Sequence, residues 1–159
     1  MRIMKPQPSD PYRHQQGFTL IEVLVTVVVL AIGLLGLAGL QLTGLKYNHS
    51  AYQRSQATII SDDIADRMRA NRAVALSGTY DIALGTTPPV SSCEGTGANC
   101  AAAAIAAADL SAWKQALSNT LPSGDGAITR NGNRMTITVQ WDDTRGEQPA
   151  QTLAVETEL

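Results

Sequence analysis

The chain has 159 residues, enough for one domain, and its 12 basic and 14 acidic side chains give a net charge of −2. Residues 1–17 hold three bases and one acid, so the remainder carries nine bases against thirteen acids. This balance excludes an extended basic footprint for nucleic acid. Because aromatic residues make up only 4% of the sequence, any water-exposed domain has a thin core.

Residues 18–45 form an apolar segment long enough to cross a membrane. No charged residue lies between Glu22 and Lys46, and an α-helix needs about 20 apolar residues to span a hydrocarbon core. Three bases precede the segment, so the positive-inside rule predicts a cytoplasmic N-terminus and an exported C-terminal part. We therefore predict a leader, residues 1–17, a membrane helix and an exported domain, residues 46–159.

The junction between the leader and the helix reads Gly-Phe-Thr-Leu-Ile-Glu, residues 17–22. A secretory signal places its apolar region before the cleavage site, whereas here the apolar region follows it. Cleavage after Gly17 would leave the helix on the mature protein with Phe18 as its N-terminus. The junction resembles the processing site of type IV prepilins. This resemblance implies cleavage by a prepilin peptidase and methylation of the Phe18 amine by the same enzyme.

Glu22 is the ionisable residue of this segment, and two interpretations of it are open. An acid in a membrane helix is costly, so a functional role is the default hypothesis. A local role is also available, because Thr19 and Glu22 form a T-x-x-E capping box near the positive end of the helix dipole. The resemblance to prepilins favours the functional role, since it implies that Glu22 pairs with the Phe18 amine of a neighbouring subunit.

Beyond the membrane the helix is predicted to continue to about Arg72, because no Gly or Pro interrupts residues 46–72. Apolar residues recur at helical spacing on one face: Ala57, Ile60, Ile64 and Met68. The opposite face carries aspartates and arginines, which we interpret as helical ion pairs and not as a metal site: Asp63 with Arg67, and Asp66 with Arg69.

Residues 73–106 lose periodicity and are predicted to form a connecting loop region. Both cysteines, Cys93 and Cys100, lie within it. In an oxidising compartment such a pair forms a disulfide more often than a metal site. Because the spacing is not C-x-x-C, redox catalysis is not predicted.

The last third of the sequence predicts a second helix and an antiparallel sheet. The helix begins around Asp109 and ends at the Pro-Ser-Gly of residues 122–124; its apolar side consists of Leu110, Trp113, Leu117 and Leu121. Strands are predicted at residues 127–130, 134–141 and 151–158, with a hairpin turn at Asn131-Gly132. The predicted fold class is α+β: one long N-terminal helix packed on a small antiparallel sheet, with a second short helix.

Several strings extend the resemblance to PilV-type minor pilins of type IV pili: GLLGLAGLQL, NHSAYQRSQAT, IADRMRANR, ADLSAW and TITVQWDD. The family implies a low-abundance subunit that joins other minor pilins in a priming or tip complex, on which the major pilin polymerises. It also implies a place in the inner membrane, as a single-pass protein with a periplasmic domain, and later at the pilus tip. The cysteine pair departs from major pilins, whose disulfide usually ties down the C-terminal region.

Two alternatives remain at the level of sequence. A minor pseudopilin of a type II secretion system would have the same architecture. A DNA-uptake or adhesive pilin would need a basic or aromatic patch, yet residues 46–159 carry nine bases against twelve acids. No nucleophile elbow, phosphate loop, H-E-x-x-H motif or paired catalytic acids occur in the sequence. We therefore predict no enzyme, no cofactor, no metal site and no nucleic-acid partner.

Overall fold

A computed structural model describes residues 17–91, 93, 100–144 and 146–159. It confirms the α+β class, with a long N-terminal helix, a second helix and an antiparallel sheet. The elements in chain order are α1 (Leu20–Ala70), α2 (Arg72–Leu76), α3 (Ala102–Thr120), β1 (Asp125–Asn131), β2 (Arg134–Trp141) and β3 (Gln151–Glu158). The chain divides into two compact units between Gly44 and Leu45.

The first unit contains the apolar half of α1. Its large apolar side chains are all exposed, so this half has no core of its own. By length and composition, α1 is the one helix of the described chain that could cross a membrane, and its most apolar stretch is entirely unburied. A helix that is apolar on every side requires lipid or other helices around it.

The second unit, Leu45–Leu159, is built around the other half of α1. The predicted stripe is confirmed at Ala57, Ile64 and Met68, which are fully buried, whereas Ile60 is only partly buried. Two polar residues, Gln53 and Ser61, complete the buried face. The helix ends at Ala70, slightly before the predicted end, and α2 follows after Asn71.

The prediction that residues 73–106 form a connecting loop region is partly wrong. It overlaps α2, and Ile82 forms an isolated antiparallel bridge to Ile128 of β1. Helix α3 begins at Ala102 and not near Asp109. The residues before Asp109 are mostly alanine, which has the highest intrinsic helix propensity. Because a run of alanines shows no apolar periodicity, the sequence pattern predicted the start of α3 several residues too late.

The sheet has the order β1-β2-β3, and both neighbouring pairs are antiparallel. The predicted β2 and β3 are confirmed, and β1 extends beyond the predicted residues at both ends. Asn131 pairs with Arg134, so the hairpin loop is Gly132-Asn133, one residue later than predicted. Gly132 has φ +64° as the first loop residue, a position at which type II′ turns require glycine.

The core of the second unit lies between α1, α3 and the sheet. Trp113 of α3 is buried, and its Nε1 donates a hydrogen bond of 3.2 Å to the carbonyl oxygen of Ile60 on α1. Gly126 of β1 lies against the same ring, and a Cβ there would collide with Trp113 and with Leu117. Glycine at this position therefore allows α3 to approach β1 closely.

Candidate functional site

The predicted processing junction lies immediately before α1. Thr19 caps the helix: its carbonyl oxygen accepts bonds from the backbone N–H groups of Glu22, at 3.1 Å, and Val23, at 3.3 Å. The Thr19 side-chain oxygen also accepts from the Glu22 N–H at 3.4 Å. Phe18 is 83% exposed. The helix thus starts two residues after the Gly17–Phe18 peptide bond, which lies outside regular structure.

The Glu22 side chain is exposed in the first turn of α1. Within the part of the chain that the structure describes, no hydrogen bond or ion pair involves its carboxylate. The predicted capping box is therefore half formed, because Thr19 caps the helix and Glu22 does not bond back to it. An acid in an otherwise apolar helix is left with its charge available to another molecule.

The apolar half of α1 can pack closely against other helices. Its four glycines are Gly33, Gly36, Gly39 and Gly44. Apart from the backbone of the helix itself and each glycine's neighbours in the chain, no described residue lies within 4 Å of the position that a Cβ would take at any of them. Small residues on a membrane helix let a neighbouring backbone come near. The surface therefore offers van der Waals contact to lipid or helices and, at Glu22, one site for a positive charge.

In the second unit, both predicted ion pairs of α1 are present: Arg67 with Asp63 at 2.8 Å, and Arg69 with Asp66. Arg67 also contacts Asp109 of α3 at 3.1 Å, a contact that the sequence pattern did not predict. The hydrogen bond to Asp63 raises the pKa of the Arg67 guanidinium, with a further contribution from Asp109 and against the effect of burial. The contact between Arg67 and Asp109 joins α1 to α3. The other two ion pairs lie within α1, so these charged groups are paired with one another inside the chain.

A buried tyrosine extends this network. Tyr80 is fully buried, and its hydroxyl donates a 2.6 Å hydrogen bond to Asp109. Asn71, at the break between α1 and α2, donates to the Tyr80 oxygen at 3.3 Å and to the carbonyl of Ala102 at 2.8 Å. Burial raises the pKa of Tyr80, and the bond to Asp109 raises it further. The network fixes the start of α3 against the end of α1.

Asp125, at the start of β1, accepts hydrogen bonds from Lys114 of α3 and from the backbone N–H of Gly85. Burial alone would raise the pKa of Asp125, but these bonds outweigh it, so the pKa lies below its usual value. The ion pair therefore holds α3 on the sheet.

The disulfide predicted from the sequence is present and joins Cys93 to Cys100. Among the described residues, no group of three or more His, Cys, Asp or Glu side chains could hold a metal ion. Sequence reasoning missed a polar contact in the second unit: Ser50 donates to Asp143 at 3.0 Å, joining α1 to the chain after β2. No pattern in the sequence relates residues so far apart.

Two family models match consecutive stretches of the chain. The model for the prokaryotic N-terminal methylation motif matches residues 12–38, which include Gly17, Phe18 and Glu22. The model for type IV pilin Tt1218 matches residues 39–111. No curated protein and no solved structure gave a match. The methylation motif implies processing by a prepilin peptidase and assembly with other pilins, and its apolar helix is consistent with anchoring in the inner membrane. On these two matches the chain belongs to the type IV pilin family.

Proposed function

We propose that this pilin is a minor subunit that helps to initiate a type IV pilus, as part of a PilV-type priming or tip complex. The observation that carries the proposal is the exposed, apolar half of α1, whose single acid, Glu22, has no partner in the described chain. Lipid covers the apolar side chains of such a helix before assembly, and neighbouring helices cover them afterwards. The PilV-like strings of the sequence support a minor subunit.

The proposed sequence of events begins in the inner membrane. A prepilin peptidase removes residues 1–17 by cleavage after Gly17, and the new amine of Phe18 is methylated. Residues 18–45 then serve as the assembly helix, while residues 46–159 lie in the periplasm. The charged amine of one subunit meets Glu22 of the next. At low dielectric this attraction is strong, and an unpaired acid becomes expensive.

The proposed pairing is tested by substitutions at Glu22 in the full chain, at native expression level. Glu22→Gln removes the charge and keeps the size, and Glu22→Ala removes both. We expect both variants to insert, to be processed and to accumulate normally. Loss of a partner in a desolvated ion pair costs about 3 kcal/mol or more, or on the order of 100-fold in association. Both should therefore fail to join the minor-pilin complex and should lower the number of pili.

Thr19→Ala is the matched control. It removes the side-chain cap, a local effect of about 0.5 to 2 kcal/mol on the helix end, but it leaves the Glu22 charge intact. We expect pilus number to stay near that of the wild type in this variant. Normal piliation in Glu22→Gln would refute the charge pairing. A deletion strain that keeps its pili but loses secretion of exoproteins would instead indicate a pseudopilin.

A further inference from the structure

Three buried side-chain atoms of the second unit have no hydrogen-bond partner within the described chain. They are Oε1 of Gln53 on α1, Nε1 of Trp141 at the end of β2, and Oδ1 of Asp143 just beyond that strand. Gln53 and Trp141 are each only 3% exposed. A buried polar group without a partner is costly, and such groups are nearly always paired with protein atoms or with ordered water. The three atoms therefore need a partner that the described side chains around them do not supply.

The fold brings these atoms into one region. Ser50 of α1 donates a hydrogen bond of 3.0 Å to Oδ2 of Asp143, so α1 touches the chain after β2 at this level. Gln53 lies three positions after Ser50, about 4.5 Å along the helix and about 60° around it. Trp141 lies two positions before Asp143, at most about 7 Å of chain away, and its side chain is on the buried face of the sheet. The unpaired atoms thus lie around the contact between Ser50 and Asp143.

His49 orients the amide group of Gln53. Nε2 of Gln53 lies 3.0 Å from Nε2 of His49 and donates to it when the ring carries its proton on Nδ1. His49 is exposed, one helical turn before the buried glutamine. Because the amide nitrogen is held on the side of His49, the oxygen is turned away from it. Gln53 therefore presents an acceptor, and not a donor, to the buried region.

The pattern of donors and acceptors indicates which ligand fits. Gln53 and Asp143 offer acceptors, whereas the indole N–H of Trp141 is a donor without a lone pair to offer. A cation would face the positive end of that N–H, and Ca²⁺ in addition takes about six to eight oxygen ligands. An anion would be repelled by the carboxylate of Asp143. A water molecule donates twice and accepts from the indole, so it pairs all three atoms, and about three hydrogen bonds are usual for a buried water.

We propose that one water molecule is bound between α1 and the end of β2. It donates to Oε1 of Gln53 and to Oδ1 of Asp143, and it accepts from Nε1 of Trp141. Together with the direct bond from Ser50, it fastens the chain that follows β2 to the half of α1 in the second unit. The site lies wholly within that unit, so the inference does not rest on the proposed function.

Nuclear magnetic resonance of the full chain in detergent micelles, labelled with ¹⁵N at tryptophan, tests the site. The sequence contains two tryptophans, which give two indole N–H signals. Trp113 is the matched internal control, because it is 1% exposed and donates directly to the carbonyl oxygen of Ile60. In a rotating-frame experiment a dipolar cross-peak with water is opposite in sign to an exchange peak, which separates bound water from solvent exchange. We expect a dipolar water peak at Trp141 and none at Trp113.

A pair of glutamine variants tests the ligands. Gln53→Met removes the amide and keeps a side chain of similar length, so we expect the water peak at Trp141 to fall several-fold. Gln56→Met makes the same change at a half-buried glutamine of α1 and should leave the peak unchanged. A peak that persists in Gln53→Met would overturn the proposal. The wild type decides the question even if this variant does not fold: the proposal fails if Trp141 shows no dipolar water peak, or if both indoles show equal ones.

A titration of the wild type with calcium chloride separates water from a cation. Because water already pairs the three atoms, we expect the indole signal of Trp141 to show no saturable shift. A saturable shift that a chelator reverses would identify a cation site and overturn the bound water. Nuclear Overhauser contacts that place the amide hydrogens of Gln53 against the Cβ hydrogens of Asp143 would also overturn it, since the two side chains would then be paired directly.

Discussion

Two isoleucines of α1 offer a direct test of which face of the helix carries the domain. Ile64 is fully buried, whereas Ile59 is 59% exposed. Ile64→Ala removes three buried carbons, worth about 2.4 kcal/mol at about 0.8 kcal/mol each. The residual cavity adds to this, and such substitutions cost about 2 to 5 kcal/mol in total. We expect a loss of about 3 to 4 kcal/mol for Ile64→Ala.

The matched control is Ile59→Ala on the same helix. It removes exposed atoms and introduces a residue of higher helix propensity, so we expect a change within about 0.5 kcal/mol. Urea denaturation of a fragment comprising residues 46–159 measures both, because the core residues all lie within that range. The melting temperature should fall by about 4 °C per kcal/mol. An equal response of the two variants would refute the assigned faces.

Gly126→Ala should destabilise this fragment by about 1 to 3 kcal/mol, because the added carbon would collide with Trp113 and Leu117; an unchanged urea midpoint would contradict the close packing of α3 on β1. Tyr80 should make the fragment less stable in alkali. Its raised pKa means that the native state keeps a proton which the unfolded chain releases above about pH 10. Stability is therefore intact below that pH and falls above it, and Tyr80→Phe should remove this part of the pH dependence.

The elements that the sequence predicted well are those with strong periodicity. The alternation of residues 134–141 and 151–158 fixed two strands to the residue, and helical spacing identified Ala57, Ile64 and Met68 as buried. The start of α3 was missed because alanine favours a helix without marking a face. Helix α2 has only five residues, too few for a periodic pattern to form.

Contacts between residues that are far apart in the sequence could not be predicted from local sequence patterns. The bonds from Arg67 and Tyr80 to Asp109 join residues 42 and 29 positions apart, and no local spacing encodes them. The predicted site at Gly17, Phe18 and Glu22 came from a motif, since its chemistry is local to the helix start. In the proposed pairing the partner of Glu22 lies on a neighbouring subunit, and the motif alone does not encode which one.

The central claim is that this chain becomes an assembly-competent pilin by losing residues 1–17. Mass spectrometry of the N-terminal peptide of the mature protein, purified from membranes and from sheared pili, measures this directly. We expect a peptide that begins at Phe18 and carries one methyl group on its amine. A mature protein in pili that retains residues 1–17, or that begins at another residue, would contradict the claim.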